Sequence, residues 1–297
     1  MSGVTQARRL ALALASIILL ATPPGVAAQE KIRVVTTSTD LKSLVEAVGG
    51  ERTEVESLTV PEQDPHTVEI KPTQLARLGK ARLIVRIGLD HEPWFARLPL
   101  RDVPVIDASR AVKLLQTQTP RLRTERQAHV HAFGNTHYWL DPDNAAPITA
   151  AVLAALAAQD PAAAGTFQKN RQAFLARLND RILAWDAALN GLRGTKVVVV
   201  HDSWAYFAER FGLNIVAAAE PSPGVTPSPA ELAALFKRMR EANVRLLIAD
   251  PHTNPALVQQ ITERGGARAV TLLPSAADYI GLFEENVRRL SLLLNPG

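Results

Sequence analysis

From about residue 32 onward, apolar and polar positions follow two rhythms that keep exchanging. The stretch 32–37 (Ile-Arg-Val-Val-Thr-Thr) is short and β-branched, as a strand should be. Asp40 to Val48 then places apolar residues three and four apart, the spacing of one helix face. Thr53 to Leu58 alternates again, Thr73 to Gly79 predicts a short helix, and Leu83 to Ile87 a buried strand. Glu92 to Leu98 reads as a helix and Val103 to Ile106 as a strand. Alternation of strands and helices in this manner implies a parallel sheet flanked by helices.

The middle of the chain changes register. Ala145 to Ala158 is an Ala-rich helical run closed by Asp160-Pro161. From Ala162 to about Leu192, apolar Phe167, Phe174, Leu178, Ile182, Trp185 and Leu189 recur at helical steps without a proline. That predicts one long helix, ended by Gly191 and Gly194. A second series follows, with strands at Lys196–Val200, Leu213–Ala217, Leu246–Ala249 and Ala269–Leu273. Helices are expected at Trp204–Phe211, at Pro229–Ala242 with Ser228 as N-cap, at Pro255–Gly265 and at Tyr279–Leu294. The expected fold class is therefore α/β, with two Rossmann-like lobes, each on a parallel sheet, joined by one long rigid helix. The segments are 29–160 for the N-terminal lobe, 161–193 for the linking helix and 194–297 for the C-terminal lobe. Ligands of such sheets bind at the carboxyl ends of the strands, which directs attention to the cleft between lobes.

The first 28 residues follow neither rhythm. Arg8 and Arg9 precede an apolar run from Leu10 to Ala21, Pro23-Pro24-Gly25 breaks it, and Val26-Ala27-Ala28 offers small residues for cleavage. This is the pattern of a secretory signal peptide over 1–28. Twelve helical residues rise only about 18 Å, short of the ~30 Å hydrocarbon core that an anchor must cross. The expectation is an exported, periplasmic protein. Removing the segment takes away two arginines and no acid, lowering the net charge from +4 to +2. No Lys/Arg run remains to suggest a nucleic-acid partner.

The 297 residues contain no cysteine. Disulfides, thiolate metal sites, thiol nucleophiles and lipid attachment to an N-terminal cysteine are all excluded, so any metal site must use histidine and carboxylates. Three of the seven histidines fall where strands or loops end. His66 follows Asp64-Pro65, His137 opens the run His137-Tyr138-Trp139-Leu140-Asp141-Pro142, and His201 directly follows Val197 to Val200. Neutral imidazoles suit borderline divalent metals, and three of them nearly complete a tetrahedral zinc shell. They lie 71 and 64 residues apart, so only the fold can assemble them.

With these motifs in order, the chain resembles the zinc/manganese solute-binding family, the periplasmic metal-binding proteins of metal ABC transporters. Further matches are Gly88-Leu89-Asp90-His91-Glu92-Pro93-Trp94, Phe211-Gly212-Leu213, and Glu220-Pro221-Ser222-Pro223-Gly224 with Pro227-Ser228. The likeness runs through essentially the whole chain after the signal. It implies capture of Zn(II) by His66, His137 and His201, with Mn(II) or iron(II) as the alternative, and delivery to a membrane permease by a monomer without enzymatic activity. Relatives that bind manganese usually carry Glu at the third position, and His201 favours zinc. Many relatives add an Asp before the final helix, where this chain has Leu273-Pro274 and then Asp278 as a helix cap. Asp250, at the end of a strand, is the expected fourth ligand, with His252 or water as competitors. His91 and Glu69 are candidates for holding an imidazole in place. The His129-x-His131 pair resembles a reduced His-rich loop, and the four tryptophans are expected to pack the lobes. Two other classes are a three-His zinc hydrolase, for which Glu69 would be the acid three residues after a ligand, and a metal-chelate carrier. The first needs an open cleft beside the metal and the second a large aromatic one.

Overall fold

A computed structural model describes residues 30–294 apart from Glu62, Asp64, Thr67, Arg101, 116–133 and Pro223. The signal segment, His129 and His131 lie outside the described residues. The N-terminal half contains β1 (Ile32–Thr36), α1 (Thr39–Gly49), β2 (Thr53–Ser57), α2 (Pro72–Leu78), β3 (Leu83–Arg86) and β4 (Val105–Asp107). Its four strands pair in parallel in the order β2-β1-β3-β4. Next come α3 (Ala145–Gln159) and α4 (Ala164–Leu189). The C-terminal half holds β5 (Lys196–Val199), α5 (Ala205–Phe211), β6 (Asn214–Ala218), α6 (Pro229–Ala242), β7 (Leu246–Ala249), α7 (Pro255–Gly265), β8 (Arg268–Thr271) and α8 (Tyr279–Leu294). It repeats the same order, β6-β5-β7-β8, again all parallel. The expected pair of parallel α/β lobes is what the chain forms.

Local chemistry explains where the elements begin. The Ser38 hydroxyl accepts from the Leu41 amide and caps α1. Ser228 and Glu231 form a reciprocal capping box at α6, with Pro229 at the first helical position. The 26-residue α4 buries Phe167, Phe174, Leu178, Ile182, Trp185 and Leu189 along one face, and at 1.5 Å per residue it is about 39 Å long.

Two features differ from the expected pattern. Glu92 to Leu98 is not a helix; only Phe95–Arg97 makes a single 3₁₀ turn. The reason lies just before it, where Gly88, Leu89 and Asp90 adopt φ of 83°, 56° and 55°, and where Glu92 turns its carboxylate back onto the end of β3. The lobes are also more than two bodies on one helix. One continuous apolar cluster includes Val34 and Leu44 of the first lobe, Trp185 of α4, and Phe207, Ile248 and Phe283 of the second. Helix α8 packs against α4 and reaches α1, with the Phe283 and Trp185 rings stacked at 5.2 Å. Among the described residues, no helix is long and apolar enough to cross a membrane.

Candidate metal centre

The carboxyl ends of both sheets face one cleft with a cavity of about 120 Å³, whose lining includes His91, His137, His201, Glu220, Asp250 and His252. Each histidine arrives by a different local device. His66 sits on the loop after β2, and the preceding Pro65 carbonyl accepts a 2.8 Å hydrogen bond from the Trp94 indole. That bond ties the loop to the segment following β3.

His91 is delivered by the left-handed turn at 88–90. Gly88 is required there twice over, because its φ is positive and a Cβ would lie 2.1 Å from the Asp107 carboxylate. Leu89 and Asp90 are non-glycine residues in the αL region, a conformation costing roughly 1–2 kcal/mol each. The buried Glu92 carboxylate holds the turn, accepting from the Ile87 amide at 2.7 Å, the Gly88 amide at 2.9 Å and the Thr37 hydroxyl. Burial raises the Glu92 pKa, and the Thr37, Ile87 and Gly88 donors oppose that rise. Backbone strain held by a buried carboxylate is a mark of a functional position. His91 itself is fully buried, with Nδ1 2.8 Å from the Thr136 hydroxyl.

His137 precedes the Tyr138–Leu140 turn. Asn135 Oδ1 accepts from the His137 amide at 2.9 Å and lies 3.2 Å from Nδ1. The other end of the same amide donates to the Asp202 carbonyl at 2.8 Å, which fixes its orientation. A carbonyl oxygen can only accept, so Nδ1 of His137 carries the proton and Nε2 the lone pair. The Tyr138 hydroxyl donates to the Ile87 carbonyl at 2.8 Å, and the Trp139 indole reaches across to the Pro274 carbonyl at 2.9 Å.

In the second lobe, His201 follows β5, and its Nδ1 lies 3.1 Å from Glu220 Oε2 at the end of β6. The Glu220 carboxylate is thus placed to accept from an Nδ1–H of His201, as Asn135 Oδ1 is for His137. Asp250 follows β7 and is 8% exposed. Its Oδ1 accepts from the Trp204 indole at 2.8 Å. Burial pushes its pKa up to about 6; nearby His201 and the Trp204 bond resist this, and Glu220 adds to it.

The rings converge. Potential ligand atoms of His66, His91 and His137 all lie within 4.8 Å of one another, the only such group of three or more His, Asp or Glu among the described residues. His201 stands slightly apart, its ring centre 6.1 Å from that of His66 and 5.5 Å from that of His137.

A family described as "Zinc-uptake complex component A periplasmic" (ZnuA) matches residues 34–292. The chain belongs to this family. It is 27% identical over 319 residues to the "High-affinity zinc uptake system protein ZnuA" of Paracoccus denitrificans, covering 94% of this chain and 97% of that protein. The "Zinc-binding lipoprotein AdcA" of Streptococcus pneumoniae (strain ATCC BAA-255 / R6) is 25% identical over 303 residues. That match covers 95% of this chain, which spans 60% of the length of AdcA. A crystal structure of ZnuA superposes with a TM-score of 0.77 at 27% identity, covering 88% of this chain and 98% of the other.

Of the expected ligands, His66 and His137 belong to the tight group of this family member, His201 faces them from the second lobe, and Asp250 lines the cleft beside His201. His252 is exposed at the cleft rim and Glu69 is exposed on its loop. Asp278 accepts from the Ile280 amide at 3.2 Å, as a helix cap would. His91, expected to hold an imidazole in place, lies within the tight group itself. Its signal was present, because it follows the carboxyl end of β3 as His201 follows that of β5.

Proposed function

We propose that this chain captures Zn(II) in the cleft between its lobes and delivers it to the permease of an ABC transporter. The observation that carries this reading is the convergence of histidine rings from both lobes, two of them with Nδ1 beside an acceptor oxygen of Asn135 or Glu220. Such partners orient imidazole ligands and raise their basicity. Nitrogen-rich sites suit zinc better than manganese, which prefers oxygen-rich and higher-coordinate shells. His66 and His137 bind from the first lobe and His201 closes from the second. The family's periplasmic description agrees with an exported chain, and the chain has no cysteine that could carry a lipid. The role is transport without chemistry on a substrate.

Titration of metal-stripped protein with Zn(II) and Mn(II), repeated on His66→Ala, His137→Ala and His201→Ala, tests the reading. Tight zinc binding that weakens by at least ~10-fold in each variant is expected. Zinc affinity unchanged in all three would refute it.

A further inference from the structure

We propose that His91 is a fourth metal ligand, giving an all-imidazole shell with His66, His137 and His201, while Asp250 stays outside as a compensating carboxylate. This rests on the reading of the cleft as a metal site and specifies its ligand set.

Geometry makes the argument. A zinc–nitrogen bond of about 2.0–2.1 Å plus about 1.1 Å from nitrogen to ring centre places each ring centre about 3.2 Å from the ion. Two rings at the tetrahedral angle are then about 5.2 Å apart. The measured separations are 4.1 Å for His66–His91, 5.1 Å for His91–His137, 5.6 Å for His66–His137, 5.5 Å for His137–His201 and 6.1 Å for His66–His201. They bracket the tetrahedral value, and His91 sits among the closest rings. Its hydrogen bonding agrees, because the Thr136 hydroxyl can accept from Nδ1 and leave Nε2 as the coordinating nitrogen. His137 and His201 use the same device with Asn135 and Glu220.

Asp250 has one carboxylate oxygen engaged, since its Oδ1 accepts a hydrogen bond from the Trp204 indole at 2.8 Å. Four neutral ligands leave the ion its full double charge. Glu220, hydrogen-bonded to His201, and Asp250 beside it provide negative charge from one step away. Such a shell selects zinc, cobalt(II) and nickel(II) strongly against manganese(II).

The test is competition titration with Zn(II), Co(II) and Mn(II) on metal-stripped wild type, His91→Ala, His91→Asp and Asp250→Asn, with X-ray absorption of the zinc-loaded wild type. Thermal melts in chelator check that each variant is folded. The expected results are a loss of zinc affinity on the order of 100-fold in His91→Ala, under ~10-fold in Asp250→Asn, and a narrowed zinc-over-manganese preference in His91→Asp. Absorption should show four nitrogen neighbours with imidazole scattering. If His91→Ala binds zinc as wild type does, while absorption finds three imidazoles and an oxygen, His91 is not a ligand. Loss of binding in the His66, His137 and His201 variants would then still support zinc capture. Failure of the wild type to bind any of the three metals would instead overturn the underlying function.

Discussion

Asp40 supplies a sharp test of how burial and charge are balanced between the lobes. It lies on the first turn of α1, is 1% exposed, and grips the segment before α8. Oδ2 accepts from the Ser275 hydroxyl at 2.5 Å and Oδ1 from the Ala276 amide at 3.2 Å. Burial raises its pKa from 3.8 to about 7, and the bonds from Ser275 and Ala276 only partly oppose this. With a folded pKa above the unfolded one, the unfolded chain gives up this proton first. The group therefore subtracts stability progressively as pH rises from about 4 to about 7, and the deficit is constant above that. At 1.36 kcal/mol per unit, a rise of about 3 units amounts to roughly 4 kcal/mol. Asp40→Asn keeps the shape and both bonds, since the amide oxygen can accept from Ala276 and the amide nitrogen can donate to Ser275. Guanidinium unfolding of metal-stripped wild type and variant should show the variant's relative stability increasing by about 3 kcal/mol between pH 5 and pH 8. In thermal melts this is roughly 6–12 °C for a chain of this size. A difference that stays constant with pH, or that shrinks as pH rises, would refute the reasoning.

Other outcomes follow from the cleft. Glu220→Gln keeps an acceptor for His201 but removes its charge, and zinc affinity should fall about 10-fold; an unchanged affinity would mean the pair is incidental. Asn135→Ala removes both the acceptor that orients His137 and the bridge to Asp202, so a loss of about 10–100-fold is expected, measured against a chelator. Zinc affinity should also fall as pH drops from 7.5 to 5.5. Protonated imidazoles must release protons to bind, and Asp250, with its pKa near 6, loses its charge over the same range. Affinity flat across that range would argue against imidazole ligation.

Much of this architecture is legible in the sequence, because β-branched runs and three-to-four spacing are local signals. Strand ends then locate the cleft, which is why Asp250 and His201 could both be assigned to it. The turn at 88–92 was not legible as such. Glu92 to Leu98 has helix-like apolar spacing, and nothing local shows that the Glu92 carboxylate will be spent on the backbone of Ile87 and Gly88. The same blindness hid the place of His91 beside His66, since a buried ring and an exposed one look alike in a single chain. Asp40 and Ser275 are 235 residues apart, a distance that no periodicity can bridge.

Helix α8 has a consequence for how the molecule comes into being. Tyr279, Leu282, Phe283, Val287 and Leu290 are all buried in the shared apolar cluster, and the Tyr279 hydroxyl bonds to the Trp139 carbonyl at 2.8 Å. The final sixteen-residue helix therefore completes a core begun some 250 residues earlier. Until it is available, α1 and α4 lack part of their cover, so the earlier lobe cannot settle early into its finished state. Loss of α8 would therefore uncover apolar surface on both halves of the molecule at once.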